Sequence, residues 1–198
     1  MNNPLRISLI LLAFLAGLVV SLGVILIGSG RVLAPGSPQA AAIGGPFRLT
    51  DQNGRTVTEQ DLNGHPSLVF FGFTHCPDVC PTTLFDMSEV MRALGADADR
   101  THGVFITVDP ERDTQPVLKD YLSSFDPHLS GLTGDLASIT AVAKEYRVYF
   151  KKVPLDDGSY TMDHTAIVYL MDKEGRFVSP FSLKRTPEAA AADLRRYL

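Results

Sequence analysis

A mixed α/β layer fold, a central sheet flanked by helices, is predicted by three features of the sequence. Two almost wholly apolar runs of strand length, Ser67 to Phe73 and Val104 to Val108, have the composition of strands covered on both faces. Each is followed by a stretch with helical spacing, so strand and helix alternate. Near the C-terminus, two strand-like runs flank the turn Asp172-Lys173-Glu174-Gly175 and add an antiparallel pair at one side of the sheet.

The elements follow in order. Residues 1–6 precede a stretch, 7–28, without a single charged side chain, bracketed by Arg6 and Arg31. At about 1.5 Å per residue it is long enough as a helix to cross a hydrocarbon core of about 30 Å. A cleaved signal peptide is the alternative, but its apolar region would be about 7 to 15 residues and its small-residue site nearer than Ala40-Ala41-Ala42. An uncleaved anchor is therefore expected, with residues 1–6 in the cytoplasm and the remainder outside. No acid-poor, Arg- and Ser-rich transit peptide is evident, which points to a single-pass protein of a bacterial inner membrane facing the periplasm.

Residues 29–46, rich in Pro, Gly and Ala, read as a flexible tether, and residues 47–198 as one domain. Of the 18 basic residues 16 follow Arg31, as do all 22 acidic ones, so the exported part carries a formal charge of -6. That balance argues against a nucleic-acid partner.

Phe47, Leu49 and Val57 alternate with polar residues around Asn53-Gly54 and predict an opening hairpin with a two-residue turn. Asp51-Gln52-Asn53-Gly54 lacks the later ligands of a calcium loop and is turn chemistry. After the first buried strand, Leu84, Met87, Met91 and Leu94 mark one stripe of a helix that ends near Gly95. The second buried strand closes at Asp109-Pro110. Thr114 to Phe125 reads as a helix, and Asp135 or Ser138 caps the next, which runs to about Tyr146. Val148 to Val153 is strand-like, Thr165 to Met171 pairs with Arg176 to Pro180, and Pro187 starts a final helix to Leu198. This order is thioredoxin-like.

The chain has only two cysteines, Cys76 and Cys80, separated by three residues and each followed by proline. A residue before proline avoids the helical region, so the segment is a loop curling into a helix from about Pro81. There the positive end of the helix dipole favours thiolate over thiol. Such a pair can close a disulfide or hold one soft metal ion, and the residues alone leave both open. Two buried structural cysteines are the plainer reading; the flanking prolines, the strand end and an exported chain weigh against it. His164 enters the apolar strand Ala166 to Leu170, and strand ends at one edge of an α/β sheet converge on one face. A lone histidine more often simply packs or faces water.

Phe71 to Pro81 (FGFTHCPDVCP), Val108 to Thr114 (VDPERDT) and Asp163-His164-Thr165-Ala166, in that order, together resemble the Sco/SenC family of copper chaperones for cytochrome c oxidase. The resemblance runs from about Ile43 to the C-terminus. It implies a thioredoxin-like domain on a membrane anchor, with Cys76, Cys80 and His164 as copper ligands and oxidase subunit II as the client. An upstream periplasmic copper donor or thiol reductant is then the second partner. Two thiolates and an imidazole suit Cu(I) and tolerate Cu(II), and three ligands leave the ion exchangeable; a structural zinc site would close with a fourth.

Asp163 is a candidate to orient His164, although a turn role fits it equally, and Asp78 a candidate to tune the thiolates from solvent. Met162 fits the core better than the metal. Asp109 to Asp113 reads as a strand-to-helix loop with internal salt bridges, or as a docking surface. A thiol:disulfide oxidoreductase using Cys76 and Cys80, and a copper or redox sensor, are the competing functions.

Overall fold

The computed structural model describes residues 15, 17–19, 21 and 43–198. The chain divides into two compact units, residues 1–41 and 42–198. In the first, the described residues are helical. Among the described residues no helix is long and apolar enough to cross a membrane; the anchor expected over 7–28 and the tether over 29–42 lie largely outside them. Residues 43–46, assigned to the tether on composition, are held to the domain, where Gly44 N donates to the Glu145 carbonyl at 2.9 Å.

The second unit is thioredoxin-like, as expected. Its strands are β1 (Arg48–Asp51), β2 (Thr56–Thr58), β3 (Ser67–Gly72), β4 (His102–Thr107), β5 (Leu129–Thr133), β6 (Phe150–Pro154), β7 (Tyr160–His164), β8 (Val168–Met171) and β9 (Phe177–Pro180). Its α-helices are α1 (Val79–Leu94), α2 (Gln115–Leu122), α3 (Leu136–Glu145) and α4 (Pro187–Leu194). Seven strands form one sheet in the order β2-β1-β5-β4-β3-β8-β9. β3, β4 and β5 are parallel neighbours, and antiparallel strands flank them on both sides. Every residue of β3 is buried, which is why its sequence reads as one apolar run rather than an alternation.

Local chemistry sets the boundaries. The β1–β2 turn holds three residues, not two: Asp51 N donates to Arg55 O, and Asp51 Oδ1 accepts from Asn53 N and Arg55 N. Gly54, at φ 85°, supplies the left-handed position that such a turn requires. α1 turns one face, Leu84, Met87, Met91 and Leu94, into the core and stops at Gly95, φ 60°. Asp135, rather than Ser138, caps α3 by accepting from Ser138 N at 2.7 Å.

Two strands were not anticipated. β5 is spelled Leu-Ser-Gly-Leu-Thr, and its glycine is there for packing: a Cβ on Gly131 would sit 2.5 Å from Leu122 of α2. β7 pairs only with β6, forming a two-stranded ribbon separate from the main sheet. His164 therefore ends its own strand, where the sequence placed it at the entry to β8.

Candidate metal centre

β3 ends at Gly72, and the chain turns through Phe73 to Cys76, whose N–H donates to the Phe73 carbonyl at 3.2 Å. α1 starts at Val79, so Cys80 lies in its first turn, fully buried, while Cys76 is partly exposed in the loop before it. Both cysteines are free. The Cys80 N–H points at Cys76 Sγ at 3.4 Å, so the loop folds the earlier sulfur back over the helix start. β8 runs antiparallel to β3, and the segment before it returns His164 to the same end of the sheet.

There Cys80 Sγ lies 3.6 Å from His164 Nε2. The other ring nitrogen, Nδ1, lies 3.1 Å from the Thr165 carbonyl, which can only accept. Nδ1 is therefore the donor to that carbonyl, and in the neutral ring this leaves the Nε2 lone pair on the side of the sulfur, the tautomer a metal-binding imidazole needs. Phe70 and Phe73 meet the ring edge-on at centroid distances of 6.3 and 5.8 Å and fix its plane.

Electrostatics at Cys80 run against the expectation of a thiolate favoured by the helix dipole. Burial pushes its thiol far above the ordinary cysteine value; a backbone hydrogen bond with Phe73 pulls the other way without offsetting it. Nearby Cys76 and Asp113 raise it further. Cys80 thus stays protonated until something displaces the proton.

Among the described residues no three His, Cys, Asp or Glu side chains stand together closely enough to hold one ion. What the fold assembles is a sulfur–imidazole pair with a second sulfur on the adjoining loop. The donor set is soft, and its chemistry fits a thiophilic ion. Space for Cys80 Sγ comes from Gly72, where a Cβ would lie 2.7 Å from the sulfur and 2.8 Å from Phe105 Cε2. Gly72→Ala is expected to cost about 1–3 kcal/mol by overpacking and to displace the sulfur from His164. Thermal unfolding of the variant would check this, and an unchanged melting temperature would show that the site can repack.

The other candidates fall differently. Asp163 is exposed on β7 opposite Lys151, and as a strand neighbour of His164 it points to the other face. The nitrogen it was expected to orient is held by Thr165 O. Asp78 is exposed at the start of α1 and makes no capping hydrogen bond with its side chain. Met162 is buried in the core, as read from the sequence. His75 is largely exposed, with Nδ1 3.1 Å from Thr74 Oγ1. His65 and His102 pack edge to face with each other at the opposite end of β3 and β4, 5.4 Å between centroids.

Sequence reasoning missed the supporting groups. Asp113, fully buried, accepts from Thr74 N at 2.9 Å, Thr74 Oγ1 at 2.6 Å and Thr107 Oγ1 at 2.6 Å, and so clamps the cysteine loop to the end of β4. The internal ion pair expected in that loop is Asp109–Arg112. Tyr121 of α2 has a buried hydroxyl without a hydrogen-bond partner and lies within electrostatic range of both cysteines.

Comparison with known proteins identifies the family. The SCO1/SenC family model matches residues 35–198. The SCO2-like protein of Rickettsia felis is 43% identical over 148 residues, 74% of this chain and 72% of that protein. The copper-bound ScoI of Bradyrhizobium japonicum is 69% identical, with a TM-score of 0.78 over 79% of this chain and 100% of that one. Copper-bound yeast Sco1 is 37% identical, with a TM-score of 0.72 over 79% of this chain and 88% of that one. With the family model matching residues 35–198 and relatives and solved structures of the same name aligned over most of the chain, this chain belongs to the SCO1/SenC family.

Proposed function

We propose that this protein is a membrane-anchored copper chaperone that carries Cu(I) on Cys76, Cys80 and His164. One observation carries the reading: the His164 Nε2 lies 3.6 Å from the sulfur of buried Cys80. The copper-bound relative at 69% identity supports copper as the cargo. Binding replaces the Cys80 proton with the ion and draws Cys76 inward, so a soft ligand set closes around it. With no fourth protein ligand, one side stays open to an incoming thiolate or imidazole of the recipient.

Large apolar side chains flank that opening. Val79 precedes Cys80, Ile167 follows His164 by three residues, and Tyr149 accepts from the Thr165 N–H and donates its own N–H to the Thr165 hydroxyl; all three are exposed. They provide a dry rim for docking a client, which we assign as the binuclear copper site of cytochrome c oxidase subunit II, loaded in turn from an upstream periplasmic donor. An anchor over 7–28 in a bacterial inner membrane, with the domain in the periplasm, would raise the effective concentration of chaperone near that membrane-bound client.

A second activity, reduction of the client's cysteines, is favoured by the asymmetry of the pair. Cys76 is partly exposed for attack, whereas Cys80 is buried behind it as the resolving thiol. Copper binding and thiol exchange separate at His164. His164→Ala is expected to weaken Cu(I) binding by about 100-fold or more while leaving disulfide formation between Cys76 and Cys80 largely intact. Titration of the reduced protein with Cu(I) against a competing chelator measures the first, and a thiol assay the second. Wild-type copper affinity in His164→Ala would sink the chaperone reading.

A further inference from the structure

The ribbon that carries His164 shares no backbone hydrogen bond with the main sheet: β6 and β7 pair only with each other. Apart from the short run of chain from His164 into β8, what holds it near Cys80 is therefore side chains, and the polar ones converge on the loop after β4. Arg112 Nη1 donates to the Tyr160 carbonyl, the first residue of β7, at 2.9 Å. The guanidinium carbon lies 3.7 Å from the centroid of the Tyr160 ring and 5.8 Å from that of Phe73, the first residue after β3, which meets the His164 ring edge-on. Tyr160 O–H donates to Asp109 at 3.0 Å, and Asp109 is the ion-pair partner of Arg112. Lys152 of β6 lies 4.0 Å from the Tyr160 ring centroid and pairs with Glu111 at 2.7 Å, adding an exposed strap across the same joint.

This is an expensive arrangement to keep for stability alone. Arg112 is mostly buried, and among the described residues its Nη2 has no hydrogen-bond partner. An unpartnered buried donor is destabilising, and an apolar side chain would avoid that cost. What an apolar side chain could not do is touch both halves of the site at once: a backbone carbonyl of the histidine ribbon on one side, and Phe73 of the cysteine loop on the other.

We propose that Arg112 is a positioning residue: by tying β7 to the loop after β4, it fixes the distance between His164 Nε2 and Cys80 Sγ. This rests on the reading above that His164 is a copper ligand. A lysine cannot replace it, because an ammonium lacks the planar fork that bonds the Tyr160 carbonyl and Asp109 while stacking on the ring.

The test uses Arg112→Lys and Tyr160→Leu in the full chain, each alone and combined with His164→Ala. Arg112→Lys retains a positive charge beside Asp109, and Tyr160→Leu leaves Arg112 itself in place, so one of the two is expected to fold even if the other does not. Hydrogen exchange of the metal-free protein is expected to quicken at β6 and β7 amides and to stay unchanged in β3 and α1. Cu(I) affinity, read by chelator competition, is expected to fall about 10–100-fold in the His164 background, as for loss of a group that orients a ligand. In the His164→Ala background the same substitutions are expected to cost nothing further, and imidazole nitrogen coupling in the Cu(II) spectrum is expected to weaken only where His164 is present.

Unchanged exchange in the ribbon overturns the proposal, and so does an equal loss of affinity in both backgrounds. If His164→Ala by itself leaves copper affinity intact, the ligand assignment fails instead, and ribbon exchange still decides whether Arg112 holds the ribbon.

Discussion

Cys80→Ser is expected to remove tight Cu(I) binding, with a fall in affinity of more than about 100-fold, larger than for any group that only orients a ligand. The substitution swaps a soft sulfur for a hard hydroxyl of similar size in a fully buried position. The Cys80 backbone N–H still points at Cys76 and the helix start is unaltered, so the fold is expected to survive. A chelator competition titration together with circular dichroism separates lost binding from lost structure. The environment of Cys80 adds a pH signature. Because burial raises its thiol pKa well above neutrality, the ion must displace a proton there, and affinity should rise with pH by up to about tenfold per unit for each proton released. Calorimetry in buffers of different ionisation enthalpy counts those protons. Pairs of buffers giving the same apparent enthalpy would mean that Cys80 was already a thiolate, and the account of its burial would be wrong.

The parts of this molecule that were legible in the sequence are those where one local signal agrees with the tertiary need. β3 and β4 are buried on both faces and read as unbroken apolar runs. α1 shows its stripe and its terminal glycine, Asp135 caps its helix as the residue type predicts, and Pro187 opens the last one. β5 was illegible because Gly131 yields its side-chain volume to Leu122 of α2, a requirement that exists only once the helix is packed. β7 was illegible for another reason: Tyr160 to His164 is half exposed and pairs with a lysine-rich partner, so it carries neither an apolar run nor a clean alternation.

The same division runs through the site. Cys76, Cys80 and His164 could be singled out by residue type and position. Which group fixes the imidazole could not: the answer is a backbone carbonyl, and every residue has one. Asp163, adjacent in sequence, looked suited to that role, but strand geometry turns it to the other face. The helix dipole at Cys80 was visible in the sequence and the depth of burial was not; burial prevails because a charge loses more by leaving water than it gains from a helix end. Asp113 was hidden within an acidic loop whose other carboxylates face water or an arginine.

That aspartate is where the largest loss of stability is expected. Asp113→Ala leaves Thr107 Oγ1 and Thr74 N–H without acceptors in a buried place, at about 1–3 kcal/mol each. Adding the small cavity left behind, the variant should lose about 3–5 kcal/mol and melt roughly 10 °C lower. The cost falls on function as well, because Thr74 is two residues from Cys76 and its release frees the loop that must fold over Cys80. Asp113→Asn gives the contrast. Its amide oxygen can accept from Thr74 N and Thr107 Oγ1, and its amide nitrogen can donate to Thr74 Oγ1, so the clamp is retained without a buried charge. Burial raises the Asp113 pKa above its ordinary value of 3.8, against the hydrogen bonds from Thr107 and Thr74 that lower it. A carboxyl raised in this way makes the folded state hold its proton more tightly than the unfolded chain. Its contribution is therefore fully present below 3.8 and is lost as pH rises through the folded value. Asparagine has no such dependence, so the stability of the wild type should decline relative to Asp113→Asn across that window. Thermal melts of the three proteins over a pH series decide it: equal losses in the alanine and asparagine variants would mean that the negative charge, and not the hydrogen-bonded clamp, is what the cysteine loop depends on.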